Sequence, residues 1–212
     1  EDFYNTFLSI RFELKKHFKQ NRIYISFLLA IVLPLIFYIV PKIWNIGFSD
    51  TAAGFANTNL SFVNILVIIS ASLFTGDSVA TEFEEKTGLL LFPTPQRHTS
   101  LFVGKYVGAV IPTFIVVSLY YFVTSLEMIQ LYGTGAITID FFKSFFIALV
   151  YTTSAVSLIY FFSSILERKI TSTLLGFFSL MMILPIISTV LQVVEIEPWF
   201  ILTYHSDLIT DV

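Results

Sequence analysis

Cysteine is absent from the 212 residues, which excludes disulfide bonds and thiolate metal sites. Charged residues are also scarce at 13% of the chain, whereas soluble domains usually carry about 25%. Hydrophobic residues make up 56%, and a soluble core in a chain of this length cannot hide that much apolar surface from water. These proportions exclude an ordinary soluble domain and indicate a protein that is solvated by lipid.

Sequence motifs for catalysis are missing as well. Gly104-Lys105 is followed by Tyr106 and lacks the earlier glycine of a nucleotide-binding G-x-x-x-x-G-K-[ST] loop. The three histidines, His17, His98 and His205, are too far apart in the predicted topology to form one metal site. No hydrolase motif of the G-x-S-x-G or H-E-x-x-H type occurs. We therefore expect no enzymatic activity, metal or cofactor in the chain itself, and no nucleic-acid partner.

Five apolar stretches are long enough to cross a membrane as helices, which takes about 20 residues for a hydrocarbon core of roughly 30 Å. They cover residues 23–40, 59–76, 101–125, 141–164 and 170–194. No charged residue lies in the middle of any stretch, which argues against a carrier with a buried carboxylate relay. The predicted fold class is an all-α, polytopic membrane helix bundle.

The distribution of lysine and arginine predicts the orientation of these spans. If the N-terminus is cytoplasmic, all 12 basic residues except Lys42 and Lys143 fall in cytoplasmic segments, as the positive-inside rule requires. Trp44 and Trp199 then follow span ends on the outer side, where tryptophan rings anchor at the headgroup level. The sequence predicts a multi-pass protein of the plasma membrane with a cytoplasmic N-terminus.

Residues 1–22 show a helical apolar period ahead of the first span. One face carries Phe3, Phe7, Ile10, Leu14 and Phe18. On or near the opposite side lie Arg11, Lys15, Lys16 and Lys19. This pattern predicts an amphipathic helix on the inner leaflet, with its basic side chains against anionic headgroups. The alternative is the ordinary basic flank of a first span.

The segment of residues 76–105 is the longest predicted cytoplasmic connection between spans. Its first part, residues 78–91, reads as a helix continuing from the membrane, and Pro93 and Pro95 end it. The polar surface of that helix consists of Glu82, Glu84, Glu85 and Lys86. A short helix with acidic and apolar residues suits docking onto a cytoplasmic partner. The alternative is a solvated helix face with no partner.

This segment resembles the one that joins the second and third of six spans in permease subunits of the ABC-2 family of ATP-binding-cassette transporters. The shared features are an acidic residue, a Gly/Thr pair, a leucine-rich step, a proline, an arginine and a lysine. They correspond here to Glu82, Glu84 or Glu85, then Thr87 and Gly88, residues 89–91, Pro93, Arg97 and Lys105. In this chain threonine precedes glycine, whereas the family more often has the reverse order.

The resemblance implies a single transmembrane domain over residues 1–212, with five of six spans present. Residues 1–22 would be its elbow helix, residues 76–105 its coupling loop and residues 195–212 a re-entrant segment on the outer side, before the sixth span. It also implies a homo- or heterodimer of permeases that exports a substrate. A separate ATPase subunit would bind and hydrolyse ATP.

The residues expected to dock that ATPase are Glu82, Glu84, Glu85, Lys86, Thr87 and Gly88. Arg97 and Lys105 fit equally well as anchors to the inner headgroups. Two other functions stay open at the level of sequence. One is a membrane enzyme or sensor whose loop binds a regulator. The other is a piece of a secondary carrier, although the inverted repeats that this predicts are not visible.

Overall fold

A computed structural model describes residues 2–45, 47–85, 98–195, 197–199 and 201–210. Within these ranges the chain is helical and contains no strand, which confirms the all-α prediction. The α-helices are α1 (Asp2–Lys19), α2 (Asn21–Trp44), α3 (Ala52–Leu60), α4 (Val63–Thr75), α5 (Ala80–Glu84), α6 (His98–Tyr132), α7 (Ile139–Ile165), α8 (Lys169–Phe178) and α9 (Leu184–Val193). Two short 3-10 helices cover Thr134–Ala136 and Leu202–Ile209, and a π-helical turn covers Ser179–Ile183.

Five helical segments are long and apolar enough to cross a membrane, as the sequence predicts. They are Asn21–Trp44, Ala52–Glu84, Thr99–Tyr132, Ile139–Ile165 and Lys169–Val193. The second consists of α3, α4 and α5 in succession, and the fifth consists of α8 and α9 joined by the π turn. All five extend beyond the predicted apolar stretches at one end or both, because polar residues continue the helices past the apolar core.

The second segment forms the centre of the bundle. Over an 18-residue apolar stretch of this segment 72% of the residues are buried, whereas only 22% are buried in the corresponding stretches of the first and fifth segments. Helix α4 packs against α2, α6, α7 and α8, with Leu66 and Phe74 fully enclosed. The outer helices therefore keep broad apolar surfaces that match a lipid environment rather than water.

Helix α6 differs from the sequence prediction at its C-terminal end. It continues seven residues beyond the predicted end of the third span and stops at Gly133, whose positive φ of 84° suits a glycine cap. The extension includes Glu127, which the sequence placed outside the span. Glu127 is 5% exposed, and among the described residues neither of its carboxylate oxygens has a hydrogen-bond partner.

The fifth span contains a π turn immediately before Pro185. A proline ring clashes with the carbonyl four residues before it and offers no amide hydrogen. In the π turn the Leu184 N–H donates to the Ser179 carbonyl, five residues back, which widens the helix at this point. The span is therefore one apolar segment with an irregular turn between α8 and α9.

Helix α1 buries two polar residues, whereas most of its lysines and aromatic residues are exposed. Glu13 and His17 are buried against the bundle, chiefly against α6. Its exposed side chains include Tyr4, Phe7, Leu8, Phe12 and Phe18 along with Arg11, Lys15 and Lys19. Aromatic residues next to lysines on one exposed side are compatible with a helix at a membrane surface, and its interfacial position stays a prediction.

Candidate functional site

Three helices meet at a buried group of ionised side chains near one end of the bundle. The Nζ of Lys105, near the start of α6, lies 2.9 Å from Glu13 Oε1 of α1 and 2.8 Å from Glu82 Oε1 of α5. It also donates to the Ser78 carbonyl at 3.0 Å. Lys105, Glu13 and Glu82 are only 4%, 5% and 8% exposed. Each ammonium hydrogen thus has an acceptor, as a buried charge requires. These three residues are called the Lys105 cluster below.

Two glycines on either side of Lys105 allow α1 to lie directly on α6. A Cβ at Gly104 would lie 2.5 Å from the Ser9 Cβ, and one at Gly108 would lie 2.7 Å from the Glu13 Cβ. Small residues four positions apart are typical of closely packed membrane helices. The absence of two side chains therefore brings Glu13 within reach of Lys105.

The Lys105 cluster contains two carboxylates and one ammonium, and a second cation balances it. Lys16 Nζ lies 3.7 Å from Glu13 Oε2. Burial by itself raises the pKa of Glu13, but the attraction of Lys105 and Lys16 is stronger in sum and holds that pKa below its ordinary value of 4.5. Glu13 is therefore ionised at neutral pH.

Further polar contacts bind α2 and α7 to the turn between α4 and α5. Arg22 of α2 lies 2.7 Å from Asp77 Oδ2, and Asp77 is buried. The backbone N–H groups of Val79 and Ala80 donate to Ser163 Oγ of α7 at 3.0 and 3.3 Å. The start of α5 is therefore connected to two spans in addition to α6.

The C-terminal end of α5 is exposed. Phe83 is 42% exposed, and Glu84 and Glu85 are exposed next to it. Glu84 Oε2 accepts the Lys169 N–H at 2.8 Å, and Glu85 Oε1 lies 3.5 Å from Lys169 Nζ at the start of α8. We call Phe83, Glu84 and Glu85 the α5 outer surface.

The structure separates the predicted docking residues into different environments. Glu82 points into the bundle and pairs with Lys105, whereas Glu84 and Glu85 are exposed. Lys86, Thr87 and Gly88 lie outside the described residues. Glu82 is therefore a structural partner of Lys105 and offers no surface to a docking protein.

The predicted membrane anchors also differ among themselves. Lys105 is buried and its ammonium contacts protein carboxylates, so it is not available to lipid headgroups. Arg97 lies outside the described residues. Trp44 is the last residue of α2 and is 67% exposed, and Trp199 is 72% exposed.

Sequence reasoning did not single out Glu13, Arg22, Asp77 or Ser163. For Glu13 a signal existed, since it is the only acidic residue between Asp2 and Asp50, within a segment rich in lysine. An isolated acidic residue there is available to a cation from another helix. The contacts of Ser163 with residues far away in sequence leave no comparable local pattern.

A buried histidine lies next to the Lys105 cluster. His17 is 2% exposed, and its ring meets Phe74 edge-on at 5.5 Å between centroids. Neither ring nitrogen has a partner in the part of the chain that the structure describes. Burial lowers the pKa of His17 below 6.5, with nearby Lys16 acting in the same direction and Glu13 opposing it. The imidazole is therefore neutral in the folded protein at neutral pH.

The arrangement is suited to transmitting displacement between helices. The described residues contain no group of three or more His, Asp or Glu side chains that could hold a metal ion. What the Lys105 cluster does is join α1, α5 and α6 through short contacts between opposite charges. A shift of α5 must therefore move α6 and α1 with it or break buried ion pairs.

We predict that Lys105→Met strongly destabilises the protein, because it leaves Glu13 and Glu82 buried without their cation. Removing one partner of a buried ion pair lowers the free energy of unfolding by about 3–5 kcal/mol. The melting temperature of the purified protein in detergent should fall, and adding Glu13→Gln and Glu82→Gln should recover part of it. A single variant that melts like the wild type would contradict the assigned role of Lys105.

A second prediction concerns pH. The unfolded chain protonates His17 near pH 6.5, whereas the folded protein resists protonation to lower pH, so acidification below about 6.5 favours unfolding. Glu13 does not contribute in this range because its pKa is held below 4.5. Between pH 7.5 and 5.5 the melting temperature of the wild type should fall more than that of His17→Leu. Equal falls in both proteins would show that another group is responsible.

The interpretation of this site rests on its geometry. No protein-family model and no curated protein matches the chain.

Proposed function

We propose that this chain is the membrane-spanning permease subunit of an ATP-binding-cassette transporter of the ABC-2 type. In this proposal a separate ATPase subunit docks on the α5 outer surface, and its ATP-driven movement passes through α5 to the spans. The chain contributes no nucleotide site of its own. It pairs with a second permease subunit, identical or not, and the complex exports a substrate.

Two features of the chain support the family assignment. Five helical segments are long and apolar enough to span a membrane. The ordered acidic, Thr-Gly, leucine, proline, arginine and lysine features run from the end of the second of these segments to the first turns of the third, which resembles their position in that family. No single residue is specific, and the support comes from the order of the features within a matching set of spans.

The observation that carries the proposal is the contrast within α5 between a buried glutamate and an exposed C-terminal end. Glu82 is buried against Lys105, while Phe83 and Glu85 are exposed beyond it. An aromatic residue with flanking acidic side chains is suited to a docking surface. Since α5 is also the end of the second span, a force on its exposed side reaches the bundle centre directly.

The same proposal places the α5 end of the bundle in the cytoplasm of the cell, at the plasma membrane. The basic residues Arg22, Lys105 and Lys169 lie at this end, and the positive-inside rule favours the cytoplasm for it. Helix α1 then serves as the elbow helix on the inner leaflet. Its exposed aromatic and lysine side chains support that location.

The C-terminal residues are proposed to form the outer re-entrant segment that precedes a sixth span. The 3-10 helix Leu202–Ile209 packs against α7 and α9, and Ile201 and Ile209 are 4% and 1% exposed. Burial against two spans supports a segment that returns into the bundle, because a solvated tail would not enclose these side chains.

The docking role predicts that Phe83→Ala and Glu85→Lys each lower co-purification with a P-loop ATPase from the protein's own cells by about tenfold or more. Loss of a central aromatic contact or reversal of an interface charge has effects of this size. The matched control is Asp140→Lys at the far end of α7. Asp140 and Glu85 have side chains 49% and 53% exposed, and each contacts a lysine.

Three outcomes of this experiment would count against the proposal. The first is a wild-type protein that brings down no P-loop ATPase. The second is a partner without an ATPase motif, which would favour a sensor that binds a regulator. The third is equal loss with Asp140→Lys, which would show a general effect of charge reversal instead of docking at α5.

The proposed orientation is testable because the chain has no native cysteine. Lys15→Cys on α1 and Gly135→Cys after α6 place single thiols at exposed positions near opposite ends of the bundle. In intact cells a membrane-impermeant maleimide should label Gly135→Cys and not Lys15→Cys, and both should react after lysis. The reverse pattern would place α5 outside the cell, where no ATPase could reach it.

A further inference from the structure

A polar cavity of about 250 Å³ lies between α9 and the 3-10 helix Leu202–Ile209. Its lining consists of Pro185, Ser188, Thr189, Gln192, Thr203 and Tyr204. Five of these six residues carry a hydroxyl or an amide, and none is charged. Ser188, Thr189 and Gln192 form a polar stretch near the end of an otherwise apolar span, and that local exception calls for an explanation.

The hydrogen-bonding groups of the cavity are only partly used by the protein. Gln192 Nε2 donates to Ser188 Oγ at 3.3 Å, and Thr189 Oγ1 donates to the Pro185 carbonyl at 2.9 Å. Thr203 is 9% exposed, and its Oγ1 has no partner within the described residues. The hydroxyl of Ser188 can still donate, and the side-chain carbonyl of Gln192 can still accept. The cavity thus offers both donors and acceptors.

The surroundings of the cavity are apolar. Ile186, Val190 and Val193 on the same helix are 55%, 57% and 79% exposed, as expected for side chains in contact with lipid. Polar groups at such a position are costly unless something supplies their missing hydrogen bonds. A ligand that fills the cavity can therefore have both a polar part and an apolar part.

The chemistry of the lining selects the kind of polar part. An anion would need a cationic side chain and a cation would need a carboxylate, and neither is among the lining residues whose side chains the structure describes. Groups that both donate and accept match hydroxyls, which do the same. The volume is slightly below the usual range of about 300–1,000 Å³ for ligand sites, which suits a glycerol or a single sugar ring.

We infer that this cavity binds an uncharged, hydroxyl-bearing head group, with the attached acyl chains lying along Ile186 and Val190. A free sugar offers the same hydroxyl chemistry without the acyl chains. The inference does not depend on the transport function proposed above, since it concerns binding by the purified chain in the absence of any ATPase.

The test measures which lipids the protein retains. The full chain is reconstituted in phosphatidylcholine vesicles that contain a small fraction of monoglucosyl-diacylglycerol, is re-extracted, and its bound lipids are quantified by mass spectrometry. Thr189→Val and Gln192→Leu remove polar groups from the cavity. The matched control for the first is Thr58→Val, since Thr58 is also exposed on a helix and also donates to the carbonyl four residues back at 2.9 Å.

We expect the wild type and Thr58→Val to enrich the glucolipid over phosphatidylcholine. Gln192→Leu should lower that enrichment about tenfold and Thr189→Val about threefold, as loss of one hydrogen bond to a neutral ligand allows.

In a parallel experiment, calorimetric titration with methyl glucoside tests whether the protein binds a free sugar. If the protein binds the glucolipid but not methyl glucoside, the site requires the acyl chains as well as the head group. If it binds both, the hydroxyls of the sugar are sufficient for binding.

Two results would overturn the inference. One is a wild type that retains no glucolipid above its share in the vesicle and binds no methyl glucoside, which would leave water as the occupant. The other is a change in glucolipid retention that is equally large in the two cavity variants and in Thr58→Val. Because Thr189 is exposed and valine has nearly the same shape, Thr189→Val gives an answer even if Gln192→Leu fails to fold.

Discussion

A lysine ammonium enclosed in an apolar bundle has to be surrounded by acceptors, and this requirement organises one end of the protein. Lys105 meets it with one carboxylate from α1, one from α5 and a backbone carbonyl from the turn before α5. Opposite charges at this distance interact far more strongly in a dry interior than in water. This single buried charge connects the first helix and the short fifth helix to α6.

The transmembrane helices were predictable because their signal is local. Around 20 consecutive apolar residues need nothing distant to be recognised, and all five segments appear in the structure. Their ends were less predictable, because a helix can continue on polar residues once neighbouring helices cover it. Glu127 illustrates this: the predicted third span ends two residues before it, at residue 125, yet the structure buries it within α6.

The Lys105 cluster could be predicted only in part. The segment of residues 76–105 was recognisable from its acidic residues and prolines, and that singled out Glu82 and Lys105. Their pairing with each other, and with Glu13 some 92 positions before Lys105, depends on how the helices pack. Identical-looking glutamates, Glu82 and Glu85, end up in different environments because Glu82 lies within α5 against Lys105, whereas Glu85 follows the end of that helix and is exposed.

The two ends of the bundle are built from different chemistry. Ion pairs hold the end that contains α5, whereas uncharged hydroxyls and an amide form the cavity beside α9. The fifth span runs between the two ends and contains a π turn before Pro185. This irregular turn separates α8, which contacts the α5 outer surface through Lys169, from α9, which lines the cavity.

The contact of α1 with α6 has a consequence for how the sequence can vary over time. Gly104 faces Ser9 and Gly108 faces Glu13 with no room for even a methyl group. A larger residue at 104 is tolerable only if the backbones separate, and separation draws Glu13 away from Lys105. Related sequences should consequently vary at these positions in a correlated way, with glycine at 104 and 108 kept wherever a lysine is kept between them.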